Sequence, residues 1–382
     1  MSKIILINNM QKNIKPIKIA QVIGMAINGG TESLWMNYYR NIDRTKVQFD
    51  FLVESESAII NKNEIERLGG RIILIPSYKN PLKYIKTLTK IFKDNKYDIV
   101  HSNMNALSFF TLKAAKKAGI KVRIAHSHST SNKKEWKKNI IKNILRPFSK
   151  MYATHYFACS ELAGRWLFGN KLYDNGNVTI IKNAIDIDKF KFDEQYRKNI
   201  RKEFNVLEDE LLIGNVGRMM PQKNQAFLLD VFAKYHSNNP KSKLMIINDG
   251  PLFSELKSKA ISLNIKESVI FVGPKSDLFK YYSAFDIFAL PSIYEGLGIV
   301  LVEAQANGLN CIASSNVPSE ADGTGNVKFL QLNEFDWVEA LKTCNITRHP
   351  FDFCKNKLID NKYSIKDVTI ELEKIYEEIV KE

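Results

Sequence analysis

The residues best suited to chemistry lie in one stretch, PSIYEGLGIVLVEAQANGL, at positions 291–309. It places Glu295 just before a turn containing Gly296, Leu297 and Gly298. Glu303 follows eight residues later, inside an apolar run that closes at Gly308. A carboxylate among aliphatic residues is costly unless it accepts hydrogen bonds. A vicinal diol, such as that of a ribose, would supply two to Glu303. An ion pair with Arg218 or Lys223 would also satisfy it, and mutation would then cost stability instead of turnover. The N–H groups at a glycine-led helix start favour an anion or sugar oxygens.

Two more loops carry similar chemistry. In GNVGRMMPQKNQ (214–225), Arg218 and Lys223 follow a strand that ends at Gly217. Two cations beside a glycine suit a diphosphate, although surface cations are common. In GMAINGGTESLW (24–35), Gly24, Gly29 and Gly30 let the backbone pass close to a ligand. Thr31 is placed to cap a helix whose N-terminus would attract phosphate. This loop is neither a P-loop nor G-x-G-x-x-G, and an ordinary tight turn explains it equally well.

These loops need strands to hold them. Val/Ile/Leu-rich strands are expected at 17–23, 49–53, 71–76, 97–102, 122–127, 156–160 and 178–183. After position 205 the rhythm restarts, at 211–217, 243–249, 269–273, 287–292 and 310–314. Helical patterns such as PLKYIKTLTKIFKDN separate them, and ALSFFTLKAAKKAGI ends near Gly119, as helices often do. Continuous apolar strands alternating with helices indicate parallel sheets covered on both faces. The expected class is therefore α/β: two Rossmann-like domains, over 1–185 and 186–362, facing across a cleft. The charged stretch 186–204 reads as a linker, and 363–382 as an amphipathic helix packing back on the first domain. Ligands of such sheets bind at the carboxyl ends of the strands, where all three loops fall.

Size and composition agree with this frame. A chain of 382 residues has material for two cores. No apolar run reaches the ~18 residues of a membrane span, and the N-terminus lacks the pattern of a signal peptide. Four scattered cysteines without a C-x-x-C pair point to a reducing cytoplasm and argue against a metal site. Residues 1–185 hold 31 basic against 12 acidic residues, the remainder 25 against 29. The first half is thus expected to face a polyanion.

The combination E-G-x-G-[IL]-x-x-x-E-A-x-A-x-G, preceded by V-G-R-x-x-x-x-K-N, resembles the retaining glycosyltransferases of family 4, which have the GT-B fold. NGGTESLWMNYYRNID and VRIAHSHST look like the branch that builds bacterial capsular or exopolysaccharides. The resemblance spans essentially the whole chain. It implies that Glu295 contacts the transferred sugar and Glu303 the nucleotide ribose. Arg218 and Lys223 would neutralise the donor diphosphate, helped by backbone amides around Gly296, Leu297 and Gly298. The loop at Gly29 and Gly30 would close over the phosphates. Asn248 and Lys275 would lie near the base. A histidine after a strand of the first domain would lie by the reacting sugar: His126, with His128 and His101 behind it. No cofactor is implied; the nucleotide-sugar, a UDP-sugar, is the substrate. No Asp-x-Asp lies where a metal-dependent transferase would want one. With no carboxylate clearly placed as nucleophile, a front-face reaction with retention is expected. Three departures stand out: Asn183-Ala184-Ile185-Asp186 for Asn-Gly-Ile-Asp, Asn248-Asp249-Gly250 for Gly-Asp-Gly, and no paired glycines in 314–325, where Glu320 is a further contact to test.

The segment KKEWKKNIIKNILRPFSKMY (133–152) holds seven basic residues and one acid, with Trp136 at its rim. It reads as a basic amphipathic surface for anionic lipid, placing the protein at the inner face of the cell membrane beside a lipid-linked saccharide acceptor. A solvated cationic face over a buried stripe is the plainer alternative. Two rival functions remain open on sequence. One is a nucleotide-sugar epimerase of the same fold. The other is a basic nucleic-acid-binding protein, although no zinc finger, RNP motif or helix-turn-helix supports it.

Overall fold

In the computed structural model of the chain, residues 15–24, 30–55, 62–128 and 144–382 are described. The first sheet contains β1 (Ile17–Gly24), β2 (Val47–Glu54), β3 (Arg71–Ile75), β4 (Ile99–Ser102), β5 (Val122–Ser127), β6 (His155–Ala158) and β7 (Val178–Ile180). The second contains β8 (Leu211–Val216), β9 (Ser242–Ile247), β10 (Val269–Val272), β11 (Ile287–Leu290), β12 (Asn310–Ser314) and β13 (Val327–Leu330). Their orders are β3-β2-β1-β4-β5-β6-β7 and β10-β9-β8-β11-β12-β13, and every pairing is parallel. Each order reverses once, between β1 and β4 and between β8 and β11. At such a switch point the flanking loops diverge to opposite faces and leave a crevice.

Side chains alternate along each strand between two apolar layers. In the first sheet Ile19, Phe49, Ile99 and Ile124 enter one layer, and Ala20, Leu52, Val100 and Ala125 the other. The second sheet is sandwiched likewise, with Leu212 and Phe288 on one side and Ile213 and Ala289 on the other. The final helix, Ile365–Lys381, belongs to the first of these domains by its packing. Ile365, Val368, Leu372, Tyr376 and Ile379 recur at three- and four-residue spacing and bury in the same layer as Ile19 and Phe49. At roughly 1.5–3 kcal/mol per large apolar side chain, this stripe is what fastens the returning chain.

Two expectations are corrected. The stretch 186–204 is no linker: it forms a 3-10 turn, Ile187–Phe190, and a helix, Glu194–Glu203. Arg197 and Arg201 of that helix both reach Asp286, at 2.8 and 3.2 Å, and Arg201 is only 4% exposed. Its charges clamp it to the second domain. Thr31 is not a cap, because the first helix, Gly30–Asn41, begins one residue earlier. β13 was not anticipated at all.

Candidate active site

The loops after β8 and β11 are laced together because those strands are neighbours at the second switch point. Ile293 N donates to the Gln222 carbonyl at 2.8 Å. The Gln222 amide returns a bond to the Tyr294 carbonyl at 3.0 Å, and Asn224 bonds the Pro291 carbonyl at 3.2 Å. This lacing brings Lys223 onto Glu295, Nζ to Oε1 at 2.6 Å. Glu295 is 6% exposed, and Ser292 Oγ donates to the same oxygen at 2.6 Å. Lys223 reaches it by lying along the strand end: a Cβ on Gly217 would meet its Cδ and Cε at 3.2 Å. The glycine expected to admit a diphosphate therefore also admits the lysine stem. Arg218, beside it, is exposed.

Gly298 turns the chain into the helix Ile299–Ala306 at φ +89°, a left-handed conformation that favours glycine. The helix carries Glu303, half-buried, with Tyr282 Oη donating to its Oε2 at 2.7 Å. Glu303 thus pairs with neither Arg218 nor Lys223. Burial drives its carboxyl up to about 7, against smaller opposing pulls from the Tyr282 hydroxyl and from Lys189. Leu297 is buried in the core, so only its backbone is available to a ligand. The Gly296 carbonyl accepts from Ser160 Oγ at 2.9 Å. Ser160 caps the helix Glu161–Phe168 of the first domain, so the glycine turn faces that domain directly. Glu320 is drawn to the same seam. It lines a cavity of about 270 Å³ with Tyr38, Glu161, Lys182 and Lys362, and burial raises its carboxyl.

Asn248 ends β9's extension at φ +117°. That backbone suits glycine, the residue that the Gly-Asp-Gly pattern of the resemblance would place there, and keeping asparagine costs on the order of 1–3 kcal/mol. Its amide N donates to the Val272 carbonyl and its Oδ1 accepts from Asp249 N. Lys275 is exposed, with Nζ 5.7 Å from the Tyr281 ring centre. Gly30 opens the first helix, while Gly29 lies outside the described residues.

The three histidines named as alternatives form one cluster. His101 Nε2 meets His126 Nδ1 at 2.9 Å, and the His126 and His128 rings stack with centres 3.9 Å apart. His126 is fully buried, whereas His128, just beyond β5, is half-buried. Burial pushes His101 and His126 far below the usual imidazole range, and His128 down to about 3, so all three are neutral at pH 7.

Sequence reasoning missed Tyr282 as partner of Glu303 and Ser292 as partner of Glu295; the second was legible as a serine three residues before the acid. It also missed Glu54, which ends β2 fully within the fold with neither carboxylate oxygen hydrogen-bonded. Among the described residues no group of three or more His, Cys, Asp or Glu is placed to hold a metal ion.

Comparison with known proteins gives a consistent picture. The family model "Glycosyltransferase Family 4" matches residues 28–189 and the model "Glycosyl transferases group 1" matches residues 196–347. EpsF of Bacillus subtilis (strain 168), named as a glycosyltransferase, is 35% identical over 91% of this chain and 92% of its own length. An Escherichia coli enzyme, the UDP-Gal:alpha-D-GlcNAc-diphosphoundecaprenol alpha-1,3-galactosyltransferase, is 27% identical over 94% of this chain and 96% of its own. Among solved structures, Anabaena HepE in complex with UDP-glucose superposes with a TM-score of 0.77 at 17% identity, covering 94% of this chain and 99% of that one.

Proposed function

This chain belongs to the family 4 glycosyltransferases, with a group 1 domain as its second half and the GT-B fold, and we propose that it moves a sugar with retention from a UDP-sugar to a lipid-linked saccharide. It is a glycosyltransferase of polysaccharide biosynthesis. What supports the proposed transfer is the laced pair of loops that gathers Lys223 and Glu295, with Arg218 beside them and Glu303 one turn into the following helix.

As the bond from the sugar's anomeric carbon to the β-phosphate oxygen breaks, its electron pair stays on that oxygen. Lys223 and Arg218 neutralise the growing charge without a metal ion, and the start of the helix Ile299–Ala306 adds its dipole. The acceptor hydroxyl bonds to the anomeric carbon on the same face and passes its proton to the departing phosphate oxygen. A carboxylate nucleophile is disfavoured because Glu295 is held by Lys223 and Ser292, and Glu303 by Tyr282. Glu295 orients the transferred sugar, Glu303 accepts from the ribose hydroxyls, and Asn248 and Lys275 border the base. UDP is favoured as carrier because HepE is described with UDP-glucose and the Escherichia coli relative by its UDP-Gal donor. That relative's diphosphoundecaprenol substrate supports a lipid-linked acceptor.

A thermal-shift panel of UDP-, GDP- and ADP-sugars tests the donor, followed by NMR of the product's anomeric centre. Stabilisation by UDP-sugars and a retained anomer are expected; an inverted product overturns the front-face step.

We place the protein at the inner membrane face through 133–152. Residues 133–143 lie outside the described residues, and within the rest Ile144, Phe148 and Met151 are exposed beside Arg146. No helix among the described residues is long and apolar enough to cross a membrane. The protein should sediment with vesicles containing anionic lipid and stay in solution with neutral ones; equal binding to both removes the assignment.

A further inference from the structure

The buried histidines are wired to a group whose hydrogen-bonding sense is fixed. The Trp35 indole N–H can only donate, and it does so to Asn103 Oδ1 at 2.7 Å. Asn103 therefore presents its amide N–H to Gln21 Oε1 at 3.0 Å. Gln21 in turn donates from Nε2 to Tyr376 Oη at 3.2 Å. The Tyr376 hydroxyl, already accepting one bond, gives its own proton to His101 Nδ1 at 2.8 Å. His101 is neutral, so its single N–H is on Nε2 and points at His126 Nδ1. That leaves the proton of neutral His126 on Nε2, a buried atom with no partner.

A second branch leaves Asn103. Its Oδ1, held as an acceptor by Trp35, faces His128 Nε2 at 2.9 Å, so His128 carries its proton there. His128 Nδ1 is then a bare lone pair, also buried and without a partner. Two stacked rings thus offer one unmet donor and one unmet acceptor. Leaving both unmet is costly, so the complement is a group that accepts and donates at once. A hydroxyl does both.

We propose that Tyr376, on the helix returning from the C-terminal end, is a positioning residue: through His101 it fixes His126 as a donor, while Asn103 fixes His128 as an acceptor, and the pair takes a hydroxyl of the transferred sugar. The assignment rests on the donor reading given above for its ligand, but not for its wiring. Trp35, edge-on to His101 with ring centres 4.8 Å apart, and Phe157, edge-on at 5.4 Å, hold the ring that relays the order.

The test is long-range proton–nitrogen NMR of protein labelled with nitrogen-15 histidine at pH 7. In the wild type, His101, His126 and His128 should each carry the proton on Nε2. Tyr376→Phe keeps the ring but removes the hydroxyl; His126 should then populate the Nδ1–H form, and kcat should fall about tenfold with KM little changed. The His126 Nε2–H resonance should move on adding UDP-glucose or UDP-galactose and stay put with UDP. A wild-type His126 protonated on Nδ1, or charged, overturns the wiring whether or not any variant folds. So does a Tyr376→Phe protein with unchanged tautomers. A bound UDP-sugar that leaves His126 unmoved overturns the hydroxyl assignment. If no UDP-sugar binds at all, the donor reading fails, and the hydroxyl assignment falls with it; the tautomers still decide the wiring.

Discussion

Replacing Lys223 by alanine is expected to cut turnover by about 10²–10³-fold, the cost of removing one preorganised group that stabilises charge in a transition state. Stabilisation of the protein by UDP should vanish with it. The variant should also be less stable by about 1–3 kcal/mol without any ligand. That second loss follows from the structure: Glu295 is 6% exposed and would lose its ion-pair partner, while neutral donors such as Ser292 and Gln222 stay. Arg218→Ala makes the informative contrast. Arg218 is exposed, so its removal should lower turnover and leave the melting temperature unchanged. Denaturation curves and initial rates on both variants separate the two effects. Wild-type rates in Lys223→Ala would mean that the lysine serves the fold alone.

Glu303→Gln should weaken UDP about 10–100-fold, since a charge-assisted hydrogen bond is worth about 1.5–3 kcal/mol. It should also remove a pH dependence. With the folded carboxyl at about 7 and an ordinary value of 4.5, the neutral form is favoured by folding. Its stabilising contribution is complete below about 4.5 and lost as pH rises through about 7. The full difference amounts to up to about 3 kcal/mol. Ribose hydroxyls donate to the charged form, so UDP affinity should move the other way, rising with pH through the same window. The groups facing Glu303 that bear on this are Tyr282 and Lys189. Chemical denaturation and UDP titration from pH 5.5 to 8.5 should show both trends in the wild type and neither in the glutamine variant.

Much of the scaffold was legible because buried parallel strands are nearly pure Val, Ile and Leu, and their ends are marked by glycine or proline. The helix Pro81–Asn95 has the bounds read from PLKYIKTLTKIFKDN, and Gly119 takes the left-handed φ of +85° expected past a helix end. The stretch 186–204 misled because charge density looks alike in a linker and in a helix whose arginines are clamped by one aspartate. Only the fold supplies Asp286. β13, with the sequence VKFL, is interrupted by the exposed Lys328 and buries no residue fully, so it lacks the continuous apolar run that marked the others.

In the site, residue types and loops were readable, but pairings were not. The sequence suggested ribose hydroxyls for Glu303 and left a pairing with Arg218 or Lys223 as the alternative; the structure gives the cation contact to Glu295 and gives Glu303 a tyrosine. Nothing along the chain distinguishes the two, since the choice depends on how the loop after β8 lies across the loop after β11. The histidines pose the same problem. Ranked as alternatives, they pack together because β4 and β5 are adjacent; His101 meets the hydroxyl of Tyr376 from a helix more than 200 residues away, and His128 meets Asn103.

If the laced loops are a nucleotide-sugar site, a crystal structure of the protein with UDP shows it most directly. The diphosphate should lie within hydrogen-bond reach of Arg218 and Lys223, with the ribose hydroxyls on the Glu303 carboxylate. A nucleotide seated elsewhere, with Glu303 still bonded only to Tyr282 and Lys223 only to Glu295, would contradict it.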